Sequence, residues 1–167
     1  MNFLPFENFY IITSLKPEQV QDCLQQVVEP NNGFSFKSLF SSSSGNYFSG
    51  NVINGVFEFK RVISYRNSFL PQIKGATEAW INGSRIHVTM RMHIAVIIFM
   101  CMWLGGVGLA GVGILLQSLS KGGFEPTAFI PFGMFLFGYV LSTGGFKYES
   151  SKARNKLVEL LNGEIAQ

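Results

Sequence analysis

The chain has 167 residues, 47% hydrophobic and only 14% charged, with a net charge of +3, a pI near 9.0 and a mean hydropathy of +0.26. Against an average of about 25% charged residues in soluble domains, this composition, with 17 phenylalanines and a single aspartate, Asp22, argues against a disordered chain, a collagen-like repeat and a typical soluble enzyme domain. The mild basic excess is that of cytoplasmic membrane flanks; a nucleic-acid surface would need a concentrated basic stripe, and the sequence has none.

Met1–Tyr10 carries Glu7, no Lys or Arg, and no apolar run follows, so a secretory signal is not expected. Internal helices would carry the chain to a membrane. Asn8–Thr13 reads as a strand, rich in Phe, Tyr and Ile. Pro17 opens a helix to about Glu29, with Val20, Cys23, Leu24, Val27 and Val28 as one apolar stripe. Glu18 suits the positive end of its dipole. Pro30, Asn31, Asn32 and Gly33 break the helix, and Ser41–Gly45 reads as a flexible loop.

Two hairpins follow. Asn54-Gly55 separates Tyr47–Ile53 from Val56–Ser64, and Asn82-Gly83 separates Gln72–Ile81 from Ser84–Met92. Asn-Gly is favoured there because both turn residues need positive φ. A two-residue Asn82-Gly83 loop predicts Ala79 opposite Ile86, Thr77 opposite Val88 and Ile73 opposite Met92 on the inner face. On the outer face it sets Glu78 opposite His87 and Trp80 opposite Arg85. Between the hairpins, Ser64–Pro71 mixes aromatic, cationic and amide groups. Tyr65, Arg66 and Asn67 are its candidate contacts for a partner or a lipid headgroup, since Arg suits phosphate. The plainer reading has Arg66 and Asn67 bonding to backbone while Phe69 plugs the core.

Ile94–Leu116 has 23 residues without a charged side chain. It would be about 35 Å long, enough for a hydrocarbon core of about 30 Å. Its twelve Ile, Leu, Val and Phe residues favour insertion by roughly 4–7 kcal/mol. A second apolar segment runs from about Pro126 to Phe146, with Pro131 inside its first turns. A short link, Gln117–Glu125, makes the two a helical hairpin; a re-entrant second segment is the alternative. Eight Lys or Arg precede the first span, Lys121 lies in the link, and Lys147, Lys152, Arg154 and Lys156 follow. The positive-inside rule then places both termini in the cytoplasm. Glu149–Leu161 reads as an amphipathic helix with Ala153, Leu157, Leu160 and Leu161 on its apolar side and Gly163 as its stop.

The expected architecture is therefore an α+β membrane protein, a small antiparallel sheet with an N-terminal and a C-terminal helix, interrupted by a transmembrane helical hairpin. Residues 1–92 form the cytoplasmic α+β region. Residues 93–146 form the hairpin, 94–116 and about 126–146. Residues 147–167 return as a helix docking on the first region.

Catalytic constellations are poor. Gly106–Gly111 matches G-x-G-x-x-G, but mid-membrane it has no phosphate to bind. Gly105, Gly108 and Gly111 instead make a candidate helix-packing face, toward the second helix, another copy or a partner. Asn82-Gly83-Ser84 fits a glycosylation sequon but is expected to serve only as a turn. His87 and His93 would lie about 20 Å apart along a strand, too far to share a metal. Cys23 and Cys101 are expected as buried small apolar residues without a disulfide. No charge lies inside either span, which removes the usual mark of an ion pathway. No cofactor, metal or nucleic acid is expected.

The run Tyr65-Arg66-Asn67-Ser68-Phe69-Leu70-Pro71, followed by an Asn-Gly hairpin and a membrane hairpin, resembles small uncharacterised bacterial two-span membrane proteins over Phe48–Leu141. That resemblance implies the bacterial cytoplasmic membrane and no activity. The layout is also similar to bacterial membrane proteins with pleckstrin-homology-like domains, which set helical hairpins beside a small antiparallel sheet and a terminal helix. It departs from them in the Pro17–Glu29 helix and is closer there to a reduced helix-grip plan. The expected function is a non-catalytic membrane-anchored scaffold or accessory subunit, partnered by membrane lipids and by another membrane protein or a second copy. The alternative is a cytoplasmic-face module enclosing a lipid or other apolar ligand among Phe57, Phe59, Ile86, Val88 and Met90; a hydrolase or transferase comes third. Of the charged residues, only Lys121 and Glu125 fall within Ile94–Phe146. The rest of the chain is still charge-poor, so some of its surface is expected to be covered.

Overall fold

The computed structural model describes residues 4–30, 47–120 and 126–166. The Asn31–Gly33 breaker, the Ser41–Gly45 loop and the link residues Lys121–Glu125 lie outside them. The elements in order are β1 (Phe6–Thr13), α1 (Pro17–Val27), β2 (Val28–Pro30), β3 (Phe48–Ile53), β4 (Val56–Arg61), β5 (Gln72–Trp80), β6 (Gly83–Arg91), α2 (Ile94–Ser120), a 3₁₀ turn (Pro126–Phe129), α3 (Ile130–Leu160) and β7 (Glu164–Ala166). The strands make one seven-stranded sheet in the order β2-β3-β4-β5-β6-β1-β7. The fold is α+β, as expected, but the sheet is mixed: β2 runs parallel to β3 and every other pairing is antiparallel.

Helix α1 stops at Val27, two residues short of the expected Glu29. Glu29 precedes Pro30, and the proline ring drives the residue before it to extended backbone. That extended stub becomes β2. The inner side chains alternate along each strand: Phe9 and Ile11 on β1, Phe57 and Phe59 on β4, and Ile86, Val88 and Met90 on β6. They share one core with Val20 and Leu24 of α1 and with Phe146, Ala153 and Leu157 of α3. Each of the larger residues in that core contributes roughly 1.5–3 kcal/mol. Both helices cover the same face of the sheet.

The second hairpin has a different register from the one expected. Trp80 pairs with Gly83, Glu78 with Arg85, Thr77 with Ile86 and Ile73 with Met90. The loop is Ile81-Asn82, and the shift by two residues leaves each side chain on its expected face. Asn82 takes the positive φ, +61°, while Gly83 does not. Gly83 is needed for space: a Cβ there would lie 2.0 Å from the Thr13 carbonyl oxygen. The first hairpin follows expectation, with Asn54 and Gly55 both at positive φ and Ile53 facing Val56.

The second apolar segment and the C-terminal amphipathic helix are not separate elements. They form one continuous 31-residue helix, α3. Pro131 lies in its first turn, where a missing N–H costs nothing. Nothing between Phe146 and Glu149 breaks it. Its end is made by Asn162 at φ +43°, with Gly163 close against Ile11. After Gly163 the chain adds β7 to the outer edge of β1, an element the sequence pattern did not suggest. At the other join, only Met92 and His93 separate β6 from α2. His93 accepts the amides of Val96 and Ile97 through its carbonyl and that of Ala95 through Nδ1, and so caps α2.

Helix α2 and the segment Pro126–Leu160 are long and apolar enough to cross a membrane, and only 6% and 11% of their most apolar windows are buried in the protein. A two-residue link and a continuous helix thus tie this hairpin to the sheet.

Gly83→Ala should force β6 from β1 and lower stability by about 1–3 kcal/mol, whereas Gly113→Ala, in open space, should cause no loss. Thermal unfolding of the purified chain in detergent distinguishes the two.

Candidate functional site

Helix α3 meets the sheet through an apolar seam, Phe146, Ala153 and Leu157, continued by Leu161 just past its end. Polar groups flank that seam on both sides. On one side Glu149, fully buried, receives Arg61 Nη1 at 2.5 Å; Arg61 is itself 9% exposed. The Tyr65 hydroxyl donates to the other Glu149 oxygen. The Arg61 guanidinium also lies 5.2 Å from the centre of the Tyr47 ring. Its Nε has no hydrogen-bond partner among the described residues. On the other side Glu7 of β1 accepts from Lys147 at 3.2 Å and Ser150 at 3.0 Å, with Arg154 at 3.8 Å.

A buried ion pair is not strongly stabilising by itself, because both charges leave water. Its one-sided loss is severe. The Glu149 hydrogen bond to Tyr65 raises the phenol's pKa above its ordinary value, and desolvation adds to this. The neutral phenol is the donor, so the contribution is complete below the unfolded value near 10. It is lost as pH rises through the higher folded value.

The 62–71 segment therefore does structural work. Asn67 Oδ1 accepts the Phe69 amide at 2.9 Å, a local turn bond. The Phe69 ring packs on Gly145 of α3, where a Cβ would meet it at 3.0 Å. Arg66 is exposed and bonds to no backbone among the described residues, so the plainer sequence reading holds for Asn67 and Phe69 but not for Arg66. Of the three candidate contacts, Tyr65 is half exposed, Arg66 faces outward and Asn67 is occupied by the turn. The signal that would have found Glu149 is its polarity between the seam positions Phe146 and Ala153.

The glycine face is divided. Gly111 packs on Pro131 and Phe132, and Gly108 on Phe135. Gly105 faces nothing within 4 Å, so it does not join the seam with α3. Across the seam, Gly138 of α3 receives Leu104 and Trp103. The reason is the period: Leu104, Gly108, Gly111, Leu115 and Ser118 alternate by four and three, the spacing of two helices in close contact. An i, i+3, i+6 set drifts off that line. The G-x-G-x-x-G run lies within helix, without the strand–turn–helix a dinucleotide requires.

Cys101 is exposed on α2, not buried as expected, and Cys23 is half-buried; both are free thiols. Among the described residues no three His, Cys, Asp or Glu side chains gather as a metal site. Phe57, Phe59, Ile86, Val88 and Met90, the proposed ligand lining, are at most 3% exposed and pack on one another. Two open surface grooves, about 400 and 340 Å³, touch none of them.

The outer face of the sheet, away from α1 and α3, holds a different cluster. Arg85 pairs with Glu78 at 2.9 Å and stacks over Trp80 at 4.4 Å and Tyr10 at 5.2 Å. His87 stacks on Tyr10 at 4.8 Å and hydrogen-bonds Asn8 at 2.6 Å. Arg91 lies over Phe6 at 5.1 Å. No described element covers this face.

Glu149→Gln should cost about 3–5 kcal/mol by leaving Arg61 buried without its partner. The double change Arg61→Met with Glu149→Leu should recover most of that loss in a denaturation series. In an ultraviolet titration, Tyr65 of the Glu149→Gln chain should ionise nearer the ordinary tyrosine value than in the parent. Comparison of the chain with family models, curated proteins and solved structures finds no match.

Proposed function

We propose that this chain is an integral membrane protein whose hairpin crosses the bilayer with both termini in the cytoplasm, and that it serves as a non-catalytic scaffold or accessory subunit. The membrane reading is supported by the large apolar side chains that α2 and α3 leave bare, among them Phe99, Met102, Leu109, Phe137 and Leu141. Their exposure to water would be costly, and lipid removes that cost. The orientation is supported by the Lys and Arg excess on both outer flanks.

The subunit reading rests on the open sheet face. Antiparallel sheets commonly leave one face to water, and such faces are then mostly polar. This one gathers Tyr10, Trp80, Phe6, Arg85 and Arg91 into an interleaved aromatic and cationic surface. Tyr, Trp and Arg dominate the energetic centres of protein interfaces. Arg85 is already oriented by Glu78 and two rings, so little side-chain freedom is lost on binding. The bound partner is another membrane protein or a second copy. The packed core counts against an enclosed apolar ligand.

A photo-crosslinker at Thr89, on this face between Arg85 and Arg91, should give a discrete adduct in native membranes. Arg85→Ala or Trp80→Ala should weaken it by about 2 kcal/mol, roughly thirtyfold in affinity. A chain that remains monomeric and unlinked there would sink the subunit reading.

A further inference from the structure

From Phe137 to Lys152 helix α3 keeps one outward stripe. Phe137, Leu141, Gly144, Tyr148 and Lys152 follow at intervals of four, three, four and four, and the stripe is exposed throughout. Leu141 is its last large apolar member. Phe129–Phe146 spans about 26 Å of axis, close to a hydrocarbon core of about 30 Å. Tyr148 then lies about 3 Å beyond that boundary and Lys152 about 9 Å beyond it. A headgroup layer is roughly 5–8 Å thick, and a lysine side chain reaches back into it.

The groups at this level are arranged for an anion. Tyr148 is 60% exposed, with Lys152 Nζ 4.1 Å from its ring centre and 2.6 Å from its hydroxyl. Tyr65, half exposed, is pinned beside them by Glu149, the next residue after Tyr148. Arg66 follows Tyr65, exposed and in no ion pair among the described residues. The nearby acid is not available to repel an anion: Glu149 is buried and held by Arg61. The next outward acid on the helix, Glu159, is taken by Lys156 at 3.1 Å.

We propose that Lys152 and the Tyr148 hydroxyl, with Arg66 as a second cation and the Tyr65 ring beside them, form an interfacial site for the phosphate of an anionic membrane lipid. It rests on the membrane reading above and is independent of the partner on the open sheet face. The aromatic pair places the site at the bilayer surface, and the cations select headgroup charge. Lys152 is held in place by Tyr148, so the site is formed before lipid arrives.

The test uses the full chain in nanodiscs of phosphatidylcholine with phosphatidylglycerol, followed by native mass spectrometry of the lipids retained on release. The parent chain should retain phosphatidylglycerol in preference. Lys152→Ala and Arg66→Ala should each reduce that preference about fivefold, while Lys16→Ala, far from the spans, should not. An integrated chain without preference, or a preference untouched by both variants, overturns the site alone. Loss of retained lipid to excess inorganic phosphate would make the ligand a soluble phosphate compound and overturn the lipid assignment. A chain that fails to enter the nanodisc overturns the membrane reading, and the site with it.

Discussion

One rigid helix governs this molecule. Helix α3 begins among the exposed apolar residues of the hairpin and ends in the core of the sheet without a break. Its first half carries no charged side chain. Its second half is one-sided, with Phe146, Ala153 and Leu157 against the sheet and Tyr148, Lys152 and Asn155 outward. A helix cannot change its facing without a kink, and no proline or bulge supplies one. The rotation of α3 in the sheet therefore also sets which of its faces meets α2 and which is left exposed.

The two polar networks beside the seam make that rotation unique. An apolar stripe alone tolerates small rolls, because burial has no direction. Glu149 does not. Buried without Arg61 it would be an uncompensated charge, and a small roll of α3 would break the pair. The Glu7 cluster with Lys147, Ser150 and Arg154 does the same from the opposite side of the seam. Charge here contributes more to a defined docking angle than to net stability, which the core side chains supply. The Tyr65 hydrogen bond extends the effect outward, so the loop that joins the two hairpins is held against α3.

The outer surface divides into regions of different chemistry. The hairpin presents bare apolar side chains and small residues. The level where α3 leaves the hairpin presents tyrosine and lysine. The outer sheet face presents stacked aromatic rings and guanidinium groups. Among the described residues no three His, Cys, Asp or Glu side chains gather, and Glu149 is turned inward to Arg61 and Tyr65.

Local chemistry determined much of the fold. A run of 23 residues without charge can be read as a long apolar helix, because length and composition belong to the run itself. The first hairpin was readable to its register, since Asn54 and Gly55 both take the backbone that the turn needs. Strand faces followed from alternation, and the apolar side of the terminal helix from its spacing. What the tertiary structure decided were matters of distant neighbours. Gly83 was claimed by close approach to Thr13, and this moved the second turn by one residue. Glu149 found Arg61, 88 positions away. Gly105 was left out of the helix seam while Gly108 and Gly111 entered it. Short strands β2 and β7 formed only because an edge was there to receive them. Periodicity and turn residues act between near neighbours, so the sequence carries them openly; a buried charge or a close approach has its cause in a residue that only folding brings alongside.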